Sequence, residues 1–231
     1  MYNDKEEEDE KEGENQSENC LKVILVGDVG TGKTNLIAVA TGQKFNAANL
    51  STTTCSYMRM LLKINNIEYK INLWDTIGQE KYRALTKIFF KNSKIVLFVY
   101  DITKRKTFEG LIIWKKIIDD ILGNLPVIAV VANKCDLYLE EQVKEEEGKK
   151  YAEKIGAKFI YTSAKLDSDN FKLFLEELIK DYIINLYIIQ INIKRYYFFN
   201  KKNHYSNYIW KHIILAAFSL VFILIFLFFN F

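Results

Sequence analysis

The chain has 231 residues, a net charge of +3 and three cysteines, Cys20, Cys55 and Cys135. That length suits one domain of about 150 to 200 residues with segments to spare. An odd cysteine count, with no C-x-x-C spacing and no clustered histidine, argues against a disulfide framework and a zinc site and fits a reducing compartment.

Charge is unevenly spread. Residues 1–20 hold nine acids against Lys5 and Lys11. Their run DKEEEDEKEGENQSEN has no apolar side chain to pack, which predicts a solvated, disordered acidic arm. No hydrophobic stretch of the secretory kind opens the chain.

LKVILVG (Leu21 to Gly27) is short, continuous and β-branched, as buried parallel strands tend to be. It runs into GDVGTGKT, in which Gly27, Gly32, Lys33 and Thr34 satisfy G-x-x-x-x-G-K-[ST] between a strand and a helix. Glycines there let the backbone N–H groups of Asp28, Val29, Gly30, Thr31 and Gly32 turn toward phosphate oxygens. The helix N-terminus adds its positive end, Lys33 reaches the β/γ-phosphates and the Thr34 hydroxyl suits Mg²⁺.

Next, Leu61 to Ile64 and Ile67 to Trp74 flank Asn65-Asn66, a pair that tolerates positive φ and predicts a two-residue hairpin. WDTIGQE follows. Asp75 is placed to hold Mg²⁺ through water, the Gly78 amide to meet the γ-phosphate and Gln79 to orient an attacking water. KIVLFVY (Lys94 to Tyr100) reads as another buried strand. FEGLIIWKKIIDDIL then puts Phe108, Leu111, Ile112, Trp114, Ile117, Ile118, Ile121 and Leu122 at helical spacing.

The strand VIAVVA (Val127 to Ala132) delivers NKCD. The Asp136 carboxylate accepts the N1 and N2 protons of guanine, a donor pair adenine lacks, so the wrong base would leave buried polar groups unpaired. Asn133 and Lys134 complete that motif. Strand, helix, hairpin and repeating helix and strand describe a three-layer α/β sheet with one antiparallel edge, whose ligands bind at the carboxyl ends of the strands.

Beyond the domain, residues 186–231 carry Lys194, Arg195, Lys201, Lys202 and Lys211 and no acid. Ile213 to Phe229 is an uncharged apolar run at the short limit for a membrane span. With the basic stretch before it, this predicts a single span whose preceding domain stays cytosolic, a tail anchor.

From Leu21 to about Ile184 the chain resembles the Ras-like small GTPases, and within them the Rab branch, through KINLWDTIGQEKYRALT, FVYDIT and TFEGLIIW. The resemblance implies a P-loop G domain with a six-stranded, mostly parallel sheet over 21–185, between the arm at 1–20, a basic linker at 186–208 and an apolar helix at 209–231. It implies GTP and GDP as ligands with Mg²⁺, and hydrolysis with Gln79 as the catalytic residue. TSAK matches the family's last guanine loop, so Ser163, Ala164 and Lys165 are implied around the base. Phe45 falls beside the base, and Thr52 on the switch threonine that binds Mg²⁺ along with Thr34 and Asp75.

Implied partners are an exchange factor, a GAP and GTP-dependent effectors at the cytosolic face of an endomembrane, with a monomeric G domain and no nucleic acid. The sequence departs from the family at TTCSY (Thr53 to Tyr57), in an effector-reading segment, and lacks the prenylated cysteines, Cys135 being its last. It also departs at Val29 and Ile77, both against the γ-phosphate. Slow hydrolysis is the expectation from a β-branched side chain at Val29. A hydrolysis-impaired, GTP-bound membrane scaffold is the alternative.

Overall fold

The computed structural model describes residues 20–47, 56–76, 89–123 and 127–202, the last six as backbone alone. The predicted acidic arm and apolar segment 209–231 lie outside them, as do Thr52, Ile77, Gly78 and Gln79.

β1 (Cys20–Val26) leads through the glycine-rich loop into α1 (Lys33–Ala40). β2 (Ser56–Ile64) and β3 (Ile67–Asp75) form the hairpin, pairing Ile64 with Ile67 across Asn65-Asn66. Both asparagines take positive φ, 49° and 65°, as the mirror-image turn of a two-residue hairpin demands. β4 (Ile95–Asp101), α2 (Arg105–Glu109), α3 (Leu111–Leu122), β5 (Val127–Asn133), α4 (Glu145–Lys154), β6 (Lys158–Tyr161) and α5 (Ser168–Lys202) follow. The strand order is β2-β3-β1-β4-β5-β6, six strands with only the β2–β3 pairing antiparallel. This is the expected three-layer α/β architecture with its antiparallel edge.

Side chains alternate between two cores. Leu21, Val23 and Leu25 of β1 join Leu36 and Ile37 of α1 on one face. Phe171, Leu175, Leu178, Ile179 and Tyr182 of α5 cover the same face, at the spacing that aligns one helical stripe. Ile24 and Val26 point the other way, toward Leu111, Trp114 and Ile118 of α3. Each fully buried Leu, Ile or Phe contributes about 1.5–3 kcal/mol, so these layers fix the strand ends that carry the loops.

The apolar stretch expected as one helix is two. Gly110 separates α2 from α3, and Ile112 and Ile113 of α3 are exposed while Leu111 and Trp114 are buried. The chain divides into units Met1–Ile183 and Ile184–Phe231, and α5 runs on through the basic stretch to Lys202. Among the described residues no helix is long and apolar enough to cross a membrane.

Candidate nucleotide site

The segments at the carboxyl ends of β1, β3, β5 and β6 converge on a cavity of about 390 Å³. Val29, Gly30, Gly32, Lys33 and Thr34 line one end and Asn133, Lys134, Asp136, Ser163, Ala164 and Lys165 the other, with Phe45 on the wall.

The phosphate end is built from backbone. Gly27 has φ 149°, and a Cβ there would sit 2.1 Å from the Val99 carbonyl oxygen of β4. A Cβ on Gly32, at φ 94°, would lie 2.3 Å from Asn133 Nδ2. Only glycine fits at either place, which is the physical content of the motif's two fixed glycines. Lys33 is 6% exposed and donates to the carbonyl oxygens of Gly27 at 2.8 Å and Asp28 at 2.9 Å. Burial lowers its pKa to about 8, partly offset by the carboxylates of Asp75 and Asp28. Thr31 Oγ1 donates to the Asp28 carbonyl at 3.0 Å, closing the loop on itself.

Thr34 Oγ1 donates to Asp75 Oδ2 at 2.7 Å. A hydroxyl beside a carboxylate at the mouth of a phosphate cradle is a hard-oxygen donor set of the kind Mg²⁺ takes, so the two residues fit that ion. Asp28 and Thr31 enter differently from the rest, for neither side chain lines the cavity. Val29 does line it, and is 39% exposed.

At the other end three loops are tied together by side chains. Asn133 Nδ2 donates to the Thr31 carbonyl at 2.8 Å, and its Oδ1 accepts the Ala164 N–H at 3.2 Å. A single buried amide thus bridges the phosphate loop and the Ser163–Lys165 loop. Ser163 Oγ donates to Asp136 Oδ1 at 2.5 Å and accepts the N–H groups of Lys165 and Leu166. That arrangement orients a carboxylate with acceptor capacity left for a planar pair of donors, as guanine presents. Lys134, in the left-handed region at φ 70°, reaches back to the buried Asp101 carboxylate at 2.6 Å. Its stem passes 4.0 Å from where a Gly32 Cβ would be.

Two residues of this architecture escaped the sequence reading. Asp101, the last residue of β4, is fully buried and holds Thr103 as well as Lys134. The only signal was an acid closing an apolar strand. Trp114 donates its indole N–H to Asp28 Oδ1 at 2.9 Å. Gly110 leaves room for that carboxylate, since a Cβ there would meet Asp28 Oδ2 at 2.7 Å. Trp114 reads as core at helical spacing, and nothing local announces a partner 86 residues away.

Fold and site together define a P-loop α/β protein with a cavity at the end of its glycine-rich loop. The Ras family model matches residues 22–183. The Ras-related protein RABA5d of Arabidopsis thaliana is 36% identical over 183 residues, 79% of this chain and 83% of that protein. The human Ras-related protein Rab-21 is 37% identical over 156 residues, 68% of this chain and 69% of its own length. RABA2b of Arabidopsis thaliana is 35% identical over 161 residues, covering 70% of this chain and 75% of itself. The chain belongs to the Ras-like small GTPases, in their Rab family. It is accordingly a GTPase.

Proposed function

We propose that the chain is a Rab-type switch that binds GTP and GDP with Mg²⁺, hydrolyses GTP slowly and recruits effectors for vesicle traffic at an endomembrane. The observation that carries the nucleotide assignment is the cavity in which Lys33, Asn133 and Asp136 face one space. Thr34 and Asp75 would hold the ion, with Thr52, and bound Mg²⁺ would neutralise phosphate charge. Lys33 supplies a desolvated ammonium to the phosphates. Asn133 keeps the phosphate loop and the Ala164 amide in register. Asp136, oriented by Ser163, selects the base, and Phe45 and Lys165 flank it.

Gly78 and the catalytic Gln79 belong to this proposal by their motif. Slow turnover rests on Val29, whose branched side chain borders the phosphate end of the cavity and leaves less room for a catalytic glutamine and an inserted arginine. Such an arginine is worth about 10³ to 10⁵ in rate where a GAP supplies one. Single-turnover hydrolysis tests this: Val29→Ser should be faster than the native chain, and equal rates would refute it. The scaffold reading rests on Val29 together with Ile77 and the altered TTCSY, while Gln79 and Thr52 favour the switch. Freshly purified protein carrying mostly GTP supports the scaffold, and mostly GDP the cycling switch.

Membrane attachment is assigned to the apolar run Ile213 to Phe229, aided by Lys194, Arg195, Lys201, Lys202 and Lys211 at anionic headgroups. Carbonate-resistant membrane pelleting that is lost on deleting residues 209–231 is the expected result.

A further inference from the structure

The outer face of the β2–β3–β1 half of the sheet is basic. Residues directly opposite each other share a face, so the register defines rows. Cys20, Lys70 and Leu61 form one row, and Lys22, Asn72 and Arg59 the next. Arg59 Nε donates to Asn72 Oδ1 at 3.2 Å and Asn72 Nδ2 to Cys20 Sγ at 3.2 Å, knitting these rows together. Lys22 lies over the Trp74 ring, 4.5 Å from its centroid, and donates to the Lys91 carbonyl. Lys63, opposite Glu68, extends the face downward, and Lys91 and Lys94 are exposed at its far side. Among the described residues Arg59, Lys63 and Lys70 make no ion pair. Glu68 is the one acid among the outward side chains of β2 and β3.

Residues 1–19, with their nine acids, join the sheet at Cys20, inside this face. Adjacent strands lie about 4.8 Å apart, which puts Leu61 about 10 Å from Cys20, with Arg59 and Lys63 one step to either side along β2. Six residues of extended chain span at most about 20 Å. Glu14 therefore reaches Arg59, Lys63 and Lys70, Glu18, two residues from the strand, reaches only the cations nearest Cys20, and the denser run Glu6 to Glu10 reaches the face with chain to spare. The tether presents these acids at an effective concentration of about millimolar, which favours them over dilute acidic partners.

We propose that the acidic segment 1–19 docks in cis on the basic face formed by Lys22, Arg59, Lys63, Lys70 and Lys91. Such a contact is a set of exposed ion pairs, each weak and all screened by salt, so it is reversible and needs several acids at once. The upper rim of the face is the Tyr57–Trp74 pair, with ring centroids 5.1 Å apart. A docked arm would therefore compete with any acidic partner for this side of the sheet. The inference stands whichever nucleotide the cavity takes.

Zero-length carbodiimide cross-linking of the full chain, mapped by mass spectrometry, tests it. Arm carboxylates should join Lys63 and Lys70 in preference to Lys106, Lys149 and Lys150 on α2 and α4. The Lys63 yield should fall about fivefold or more when salt rises from about 50 to about 500 mM, which shortens the screening length about threefold. Arg59→Glu should lower it similarly at low salt, and the yield should not change on dilution. A Lys63 yield insensitive to both salt and Arg59→Glu reports mere tethering and overturns the proposal. So does a yield that falls on dilution, which assigns the contact to two copies. If Arg59→Glu leaves the cross-links intact but removes the salt-sensitive part of binding to phosphatidylserine vesicles, the face belongs to a membrane and the proposal falls.

Discussion

The two ends of the cavity are held by different means. At the base end, side chains fasten loops to one another: Ser163 to Asp136, Lys134 to Asp101, and Asn133 to Ala164. At the phosphate end, the polar groups that face the cradle serve each other, with Lys33 on the carbonyls of its own loop and Thr34 on Asp75 at the end of β3. A base therefore meets acceptors already set in place, so little ordering cost opposes its recognition. Phosphates and a metal ion must instead win Lys33, Thr34 and Asp75 from contacts they already make. On the proposed function, discrimination would belong to the first region and the change of state to the second.

The largest effect is expected where that division is bridged. Asn133→Ala leaves the buried Thr31 carbonyl and Ala164 N–H without this partner, a cost of about 1–3 kcal/mol for each group. Affinity for GDP should drop about 100-fold or more in fluorescent-nucleotide titration. Guanosine binding should drop too, because both ends loosen together.

Lys33→Met sharpens the contrast. A charge-assisted contact is worth about 1.5–3 kcal/mol, so GDP affinity should fall about 30-fold while guanosine affinity holds. Equal losses for the two ligands would show that the ends are not separable. Asp101→Asn works from the other side. It weakens the buried partner of Lys134, and affinity for GDP and guanosine should fall alike, by about tenfold. The smallest change is expected from Trp114→Phe, which removes one hydrogen bond to Asp28 while keeping the ring's bulk. Stopped-flow release of GDP should quicken about fivefold, an effect of about 1 kcal/mol, with guanosine release unchanged.

Most of this frame can be read from the chain itself. Asn65-Asn66 announces a hairpin because few residues other than glycine tolerate consecutive positive φ. G-x-x-x-x-G-K-[ST] announces the cradle because two backbone approaches exclude any Cβ. The break at Gly110 is not legible, since apolar residues continue across it at helical spacing. Nor is the need for glycine at that point, since the carboxylate of Asp28, far away in sequence, occupies the space a side chain would need. Asp101 and Trp114 were missed for the same reason: their roles depend on partners that only the folded sheet brings near. Composition sets the acidic segment apart from the domain, yet cannot show that the strand it joins opens into a basic face. That face alternates with core residues along β2 and β3, so its charges are diluted in the linear sequence.

All seven residues of β4 are buried at the centre of the sheet, and its carboxyl end serves both halves of the cavity. Val99 presses its carbonyl against Gly27, and Asp101 anchors Lys134 two residues farther on. A slip of one residue would turn every β4 side chain to the wrong layer and displace both supports at once. The finished cavity therefore requires the central strands to be paired in this register. A ligand that recognises only the finished cavity stabilises the whole sheet by mass action. Nucleotide supply during synthesis would then govern how much chain survives, as well as how much of it is switched on.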